Sequence, residues 1–374
     1  MTVRSTISTN GNRVVLIYVR AVSGGAGKNA VRYANILAEI GFDVILTCGS
    51  APDVSQFGLS GKARLVVFKT RKNLSAVRPL RRLLATETPD ICLVVDASNL
   101  HAALLSLSAA PRRPVLILRE ALSTRERLEM RGPLMRVIKR MIHRIGYVRC
   151  DHVIALTRAM VAEHTGYWRV PAHKVVHIPN GVPISPADGN KARLRDDLIL
   201  CVARLEVQKD IGTLLKAFAL LRERRDVRLA IAGTGRLGEA LRQEARELGI
   251  GAHVDFLGHV DATAPLYARA RLAVLTSLWE GFPNVVIEAL AQGTPVVATC
   301  TPGAVEILRD GAAGMLCNLQ DPEDLARKMD AALSHDWDRA AIRARAMEFS
   351  EDRLSQRISA LFEPYLSDPA SPTR

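Results

Sequence analysis

The sequence lacks the features of several specialised protein classes. Only 5% of its 374 residues are aromatic, and no stacking platform for nucleic-acid bases is visible. The first twelve residues are polar and lack the apolar core of a signal peptide. The uncharged run Ala97–Pro111 contains Ser, Asn and His and is too short to span a bilayer. We therefore expect a cytosolic protein that is neither secreted nor membrane-spanning.

Paired cysteines are also absent. None of the six cysteines belongs to a C-x-x-C pair, which argues against a zinc site and against a disulfide framework. Most of them lie within apolar runs. We therefore expect reduced thiols inside the protein core.

Acidic residues are scarce in the first part of the chain. Residues 1–189 contain 27 Lys and Arg against 12 Asp and Glu, a net charge of +15, whereas the remainder contains 24 against 26. The basic character of the protein thus belongs to its first part. We expect that part to meet an anionic partner.

What is present is an alternation of short apolar runs with longer helical patterns. One series of strand-like runs extends from Arg13–Arg20 to His152–Leu156, and a second from Leu198–Leu205 to Pro295–Ala298. Continuous apolar strands joined by helices are typical of parallel sheets covered on both faces. The segment Pro179–Lys191, rich in Pro, Gly, Asn and Asp, separates the two series. At roughly 100–200 residues per domain, the sequence predicts two doubly wound α/β domains.

The end of the chain fits neither series. Its last helical pattern, Asp352–Leu366, follows another helix and not a strand. We predict a first domain over 1–183 and a second over 184–350. Residues 351–374 form a C-terminal helix, able to pack back on the first domain, and a tail.

Each series carries a glycine-rich turn after a strand. In Ser23–Lys28, Gly24 and Gly25 precede a helix, so backbone N–H groups there can approach an anion. A tight turn without a ligand is the alternative. The turn Gly233–Gly238 matches G-x-G-x-x-G, which alone would indicate a nicotinamide dehydrogenase. It follows the second strand of its domain, however, and no proton-relay set accompanies it, so nucleotide binding of another kind is favoured.

Two cations, Arg204 and Lys209, stand five residues apart between a strand end and a helix start. Arg offers a planar fork and Lys a point charge, a combination suited to two linked phosphates. Two solvated surface charges are the alternative.

Two carboxylates, Glu280 and Glu288, flank the start of a helix predicted near Pro283. A helix start directs free N–H groups outward, and each carboxylate can accept hydrogen bonds from a diol. The pair therefore predicts hydroxyl recognition beside a phosphate site. For Glu288, inside an otherwise apolar helix, a structural arginine partner is the alternative.

Together these residues resemble the retaining glycosyltransferases of family 4, also called group 1 glycosyltransferases. The similarity runs from the Gly24-Gly25 turn to Gly314 and is densest in CVARLEVQKD, IAGTGRLGEALRQEARELGI, VDFLGHV and SLWEGFPNVVIEALAQGTPVVATCTPGAVEIL. The last stretch contains the family's E-x7-E signature. The resemblance implies the GT-B fold, in which two doubly wound Rossmann-like domains face each other across a cleft. The first domain then binds the acceptor and the second a nucleotide sugar.

The resemblance also implies a role for each matched residue. Arg204 and Lys209 should neutralise the diphosphate as the glycosidic bond breaks. Glu280 should contact hydroxyls of the donor sugar, and Glu288 those of the ribose. The remaining donor-binding residues that it implies are Gly24, Gly25, Gly233, Gly235, Leu257, Gly281, Phe282, Pro283 and Asn284.

The same resemblance bears on the mechanism. Members of the family retain the anomeric configuration, with the leaving phosphate as the proposed base, so we do not expect Glu280 to be a covalent nucleophile. No metal or other cofactor is expected, because Arg and Lys carry the charge and no D-x-D signature stands at a strand end. The expected donor is a UDP- or GDP-linked sugar.

One family residue is missing. Many members carry a His after the strand that corresponds to Pro114–Leu118, and none stands there in this sequence. Arg119 and Glu120 are candidates to replace it. His101 is a further candidate contact of the sugar or acceptor, with helix packing as its alternative.

A basic helix with an apolar stripe is predicted within the first domain. The stripe consists of Leu134, Met135, Ile138, Met141, Ile142 and Ile145, and basic residues occupy the other faces. Such a helix can lie on an anionic membrane. The alternative is an ordinary domain helix with its stripe in the core.

We therefore expect a hexosyltransferase that transfers from a nucleotide-diphosphate sugar to a saccharide or lipid-linked saccharide during cell-surface polysaccharide or glycolipid biosynthesis. It should be cytoplasmic or peripheral at the cytoplasmic face of the inner membrane, without a nucleic-acid partner. One alternative is another GT-B enzyme, such as a sugar-nucleotide epimerase. The other is a non-catalytic nucleotide-sugar-binding protein.

Overall fold

The computed structural model describes residues 13–22, 24–50, 58–70, 73–129, 132–184 and 196–367. The chain forms two compact units, of which the first comprises Met1–Asn180 with Leu354–Arg374 and the second Gly181–Arg353. These boundaries lie three residues from those predicted. Ser23 of the first glycine turn and residues 185–191 of the predicted linker lie outside the described residues.

A parallel sheet forms the centre of the first unit. In the described part of that unit its strands are β1 (Val14–Ala21), β2 (Asp43–Ser50), β3 (Ala63–Val67), β4 (Ile91–Val95), β5 (Val115–Arg119), β6 (His152–Ala155) and β7 (Val175–His177). Their spatial order is β3-β2-β1-β4-β5-β6-β7. The short strand β7 has no counterpart in the sequence prediction.

Helices cover both faces of this sheet. They are α1 (Gly24–Glu39), α2 (Val77–Glu87), α3 (Ala97–Ser106), α4 (Thr124–Glu129), α5 (Pro133–Arg149) and α6 (Arg158–Ala162). Alternation along β1 divides the core: Val15 and Ile17 pack on the side of α1, and Leu16 and Tyr18 on the side of α2, α3 and α5. Burial on both faces explains why the strands read as continuous apolar runs.

The second unit repeats this plan. Its described strands are β8 (Asp196–Val202), β9 (Arg228–Ala232), β10 (Val254–Gly258), β11 (Ala270–Leu275), β12 (Val296–Thr299) and β13 (Gly314–Cys317), in the spatial order β10-β9-β8-β11-β12-β13. Its helices are α7 (Ile211–Arg222), α8 (Gly238–Glu247), α9 (Ala264–Arg269), α10 (Asn284–Ala291), α11 (Pro302–Leu308), α12 (Pro322–Ser334) and α13 (Arg339–Met347). All strand pairs are parallel. The sequence prediction missed β13.

The chain returns to the first unit at its end, through α14 (Glu351–Phe362) and α15 (Pro364–Ser367). Leu354, Ile358 and Phe362 of α14 are fully buried in the core of that unit. Phe362 meets Phe42 edge to face, with the ring centroids 6.2 Å apart. The helix thus completes one face of the first sheet.

One sequence expectation is wrong in part, and one alternative is contradicted. Cys300 is exposed, whereas the other five cysteines are buried, and burial raises the pKa of Cys92 and of Cys201 to about 12. The apolar stripe of α5 does not enter the core, because its side chains are exposed.

A bilayer span needs about 20 predominantly apolar residues in one helix. Among the described helices, none combines that length with sufficient apolar character.

Candidate functional site

The topology of the second unit fixes where a ligand can bind. The order of its strands reverses at β8, the first strand of this unit along the chain, which lies between β9 and β11. In doubly wound sheets, ligands bind beyond the carboxyl ends of the strands at such a point. Arg204 follows β8, Gly233 follows β9 and Glu280 follows β11, so the predicted residues occupy this edge.

Lys209 and Glu280 form an ion pair at this edge. The Lys209 ammonium contacts Glu280 Oε1, and the two side chains are only 14% and 11% exposed. The Ser277 hydroxyl donates to the same oxygen at 2.8 Å. Since β8 and β11 are paired in parallel, the loops that follow them lie side by side.

Hydrogen bonds tie these two loops together. Leu278 N donates to Gln208 O at 2.9 Å, and Gln208 Nε2 donates to Trp279 O at 2.8 Å. The Thr276 hydroxyl donates to Lys209 O at 2.7 Å. The position of Glu280 relative to Lys209 is therefore fixed by backbone contacts as well as by charge.

Arg204 is exposed, and its Nη2 donates to Gln208 Oε1 at 3.4 Å. The Gln208 amide thus contacts both the predicted phosphate cation and the Glu280 loop. Sequence reasoning did not single out Gln208 or Ser277. The position of Gln208 between Arg204 and Lys209 in the sequence could have indicated that it belongs to the site.

Glu288 lies half-buried on α10. Thr263 Oγ1, before α9, donates to Glu288 Oε2 at 3.4 Å. Burial raises the pKa of the neighbouring Tyr267 well above 10.0, and the charge of Glu288 adds to this effect. Within the described residues, Glu288 therefore has a hydroxyl partner and not the structural arginine that was the alternative.

The glycines of the second turn serve close packing of the protein backbone. Gly233 has φ +142°, and a Cβ there would lie 1.9 Å from Ala203 O. A Cβ on Gly235 would lie 2.3 Å from Leu205 O. The turn therefore packs directly against the backbone on either side of Arg204. This close packing within the protein requires glycine at both positions, whether or not a ligand binds.

The segment before α10 packs against Gly303 at the start of α11. Gly281, Phe282 and Pro283 are buried, and Asn284 begins α10. A Cβ on Gly303 would lie 2.5 Å from Gly281 O, so only glycine permits this approach. Leu257, the other predicted donor contact, is 41% exposed on β10.

In the first unit, the glycine turn belongs to a helix. Gly24 and Gly25 form the first turn of α1, whereas the sequence prediction placed them before that helix. Both are exposed, and a Cβ on either would meet no heavy atom within 4 Å. Packing therefore gives no reason for glycine at either position.

The candidates for the missing family His are buried. Arg119 is 1% exposed, and its Nη2 donates to Asn180 Oδ1 at 2.5 Å. Glu120 is fully buried, accepts hydrogen bonds from Thr124 and from Tyr147, and lies 2.7 Å from His164 Nε2. Protein groups thus surround both side chains, and their contact with a saccharide stays a prediction.

His101 lies on α3 and faces α5. Its ring is half-buried and meets the His143 ring edge to face at 4.9 Å. Burial lowers its pKa below 6.5. This geometry agrees with the helix-packing alternative, and a sugar or acceptor contact stays a prediction.

Known families match almost the whole described chain. The model for "Glycosyltransferase Family 4" matches residues 23–185, and that for "Glycosyl transferases group 1" matches residues 187–349.

Three relatives illustrate the similarity. The chain is 33% identical to an uncharacterized glycosyltransferase of Methanocaldococcus jannaschii, over 51% of this chain and 52% of that protein. It is 26% identical to an uncharacterized glycosyltransferase of Haemophilus influenzae, over 84% and 88%. It is 27% identical to phosphatidyl-myo-inositol mannosyltransferase of Mycolicibacterium smegmatis, over 90% and 88%.

Solved structures show the same fold. Sucrose-phosphate synthase of Thermosynechococcus elongatus superimposes with a TM-score of 0.78 at 19% identity, over 95% of this chain and 99% of that one. Anabaena HepE, solved in complex with UDP-glucose, superimposes with a TM-score of 0.76 at 20% identity, over 94% and 99%. The fold and the family matches together define a GT-B glycosyltransferase. The chain belongs to glycosyltransferase family 4, the group 1 glycosyltransferases.

Proposed function

We propose that the protein is a retaining hexosyltransferase. It takes a hexosyl unit from a UDP- or GDP-linked sugar and transfers it to a saccharide or a lipid-linked saccharide in cell-surface polysaccharide or glycolipid biosynthesis. The observation that carries this proposal is the Lys209–Glu280 ion pair at the strand-order reversal of the second unit. A cation for phosphate and an acid for sugar hydroxyls stand side by side there.

The residues divide the chemistry between them. Arg204 and Lys209 bind the diphosphate and stabilise the charge that develops on it as the bond to the anomeric carbon breaks. Glu280 accepts hydrogen bonds from sugar hydroxyls and thereby orients the ring. Glu288 does the same for the ribose. The leaving phosphate takes the proton of the acceptor hydroxyl, so the reaction needs no resident cofactor.

Known proteins support the class of donor and acceptor. Anabaena HepE was solved with UDP-glucose, and the Mycolicibacterium smegmatis relative is named a phosphatidyl-myo-inositol mannosyltransferase. Residues 1–189 carry a net charge of +15, which suits an anionic lipid carrier at the cytoplasmic face of a membrane. We place the protein there, without a nucleic-acid partner.

A thermal-shift screen over UDP-, GDP- and ADP-linked sugars tests the donor. A ligand at 100 times its dissociation constant should stabilise the protein by about 2.7 kcal/mol. NMR of the transfer product should show the anomeric configuration of the donor, and an inverted product would contradict the retaining mechanism. Product formed without any acceptor would instead favour an epimerase, and binding without turnover a non-catalytic protein.

A further inference from the structure

Helix α5 presents a continuous apolar face to solvent. Eight of its large apolar side chains are between 44% and 75% exposed, namely Leu134, Met135, Val137, Ile138, Met141, Ile142, Ile145 and Val148. At about 100° per residue, they fall within an arc of about 160° of the helix surface. We call this set the apolar arc. Single exposed apolar side chains are ordinary, whereas a contiguous group of this size marks an interaction surface.

The opposite side of α5 attaches the helix to its unit. Gly146 and Tyr147 are buried, and a Cβ on Gly146 would lie 3.0 Å from the side chain of Leu100 on α3. The Tyr147 hydroxyl donates to Glu120 at 3.0 Å, and its ring packs on Trp168 at 5.0 Å. A helix that covers a sheet normally turns its apolar side inward. Helix α5 does the reverse, and the described part of the chain leaves the apolar arc uncovered.

The charges of α5 are all positive. Its seventeen residues contain five cations, Arg136, Lys139, Arg140, Arg144 and Arg149, and no acidic residue. Helix α2, which contacts α3 from another side, adds exposed cations at Arg78, Arg81 and Arg82. At about 100° per residue, Lys139 and Arg144 lie beside the apolar arc and Arg149 lies within it, whereas Arg136 and Arg140 lie nearer the attached side.

We propose that the apolar arc and its bordering cations are a docking surface for an anionic phospholipid bilayer, into which the arc inserts at headgroup depth. The pattern matches the two layers that such a helix meets, since phosphates lie outside and acyl chains lie beneath them. A second copy of this chain is a poor occupant, because it would bring five cations against five. The inference deepens the proposed function and rests on it only for the membrane location of the acceptor.

Sedimentation of the full-length protein with vesicles tests the proposal. The protein should pellet with phosphatidylcholine vesicles that contain phosphatidylglycerol, and at least tenfold more weakly with phosphatidylcholine alone. Replacement of Lys139 and Arg144 by Gln should lower the partition coefficient by about fivefold per cation at low salt. The Met141→Gln/Ile145→Gln double variant should lower it by at least about tenfold, at high salt as well as at low salt, because inserted apolar area is not screened.

Matched controls come from the second unit. Val305 and Met347 are exposed apolar residues there, and Arg228 and Arg246 are exposed cations. The Val305→Gln/Met347→Gln and Arg228→Gln/Arg246→Gln variants should bind vesicles as the unaltered protein does. Circular dichroism and thermal unfolding establish that every variant is folded.

Three outcomes would overturn the proposal. The first is no sedimentation with anionic vesicles at low salt. The second is unchanged sedimentation of the Met141→Gln/Ile145→Gln variant. The third is a protein that does not bind vesicles but forms a dimer that requires Met141 and Ile145. Sedimentation needs no nucleotide sugar, so it can succeed where the proposed transfer fails. Conversely, transfer to a soluble saccharide without vesicle binding would refute only the docking surface.

Discussion

Lys209 and Glu280 are ion-paired although 71 residues separate them in the sequence. A donor whose diphosphate is bound by Lys209 must therefore place its sugar beside Glu280. Both side chains are largely buried, so water screens their charges only weakly. Replacement of either one therefore leaves the charge of the other without its partner.

Loss of a cation should abolish donor binding. Lys209→Ala leaves the Glu280 carboxylate without its cation, and Arg204→Ala removes the planar fork for the second phosphate. We expect each variant to lose the thermal shift with the nucleotide sugar that stabilises the unaltered protein. Arg246→Ala, an exposed change on α8, is the control. A full shift in the Lys209 variant would remove that residue from the phosphate site.

Neutralisation of Glu280 should separate binding from transfer. Glu280→Gln frees Lys209 from its carboxylate, so the affinity for UDP or GDP should stay within about threefold or rise. The contact with the sugar weakens, and kcat should fall by about 100-fold, as for other preorganised polar groups. Calorimetry and a transfer assay measure the two effects. Normal turnover in this variant would show that the role given to Glu280 is wrong.

The ribose role of Glu288 can be tested with an altered ligand. The unaltered protein should bind the nucleoside diphosphate about tenfold more tightly than its 2′-deoxy analogue, which corresponds to about 1.4 kcal/mol for the lost contact. Glu288→Ala should remove this preference and leave the affinity for the deoxy analogue nearly unchanged. Titration calorimetry gives all four affinities. A preference that persists in the variant would assign the ribose to another group.

Gly25 offers a change that tests function without damage to packing. A Cβ at this position meets nothing within 4 Å, so Gly25→Ala should leave stability unchanged or raise it by about 0.5–1 kcal/mol. If backbone N–H groups of this turn close over the phosphates, the added methyl group should lower the donor affinity. Thermal unfolding and donor titration on the same sample separate the effects. An unaltered donor affinity would place Gly25 outside the site.

Acid should weaken the packing of α3 on α5. Burial lowers the pKa of His101 below 6.5, so the unfolded chain binds more protons than the folded one as the pH falls below that value. The free energy of unfolding should therefore fall with pH in this range, and nearby Lys139 disfavours the protonated ring further. His101→Gln should flatten the dependence in denaturant titrations, whereas His259→Gln, an exposed change, should not. Parallel curves for His101→Gln and the unaltered protein would contradict this.

Features of the fold that depend on local sequence pattern were largely predictable from the sequence. Most strands of both sheets follow from apolar periodicity and from glycine and proline positions. So does the placement of Arg204 and Glu280 after strands and of Glu288 within a helix. The hydrogen bonds of Gln208 and Ser277 do not, because they depend on which strands are neighbours. The three residues of β7 are too few to show a periodic signal, and β13 (Gly314–Cys317) contains a glycine and no β-branched residue.

The orientation of α5 marks another limit of sequence reasoning. Periodicity shows which residues share a face of a helix, but it does not show which face the rest of the fold covers. Tyr147 and Gly146 decide this through their contacts with Glu120 and Leu100, which belong to distant parts of the chain. An apolar stripe that resembles a core stripe is therefore turned outward.

The path of α14 has a consequence for biosynthesis. Ile358 and Phe362 fill a gap in the first unit, yet they are translated after the whole second unit. Domains usually fold in the order in which they leave the ribosome, at about 5–20 residues per second. Here the nascent first unit must wait, with part of its interior exposed to water, until the whole second unit has been translated. A chain interrupted between Arg353 and Leu354 would thus contain the whole second unit beside an unfinished first one, which exposes apolar surface to chaperones and proteases.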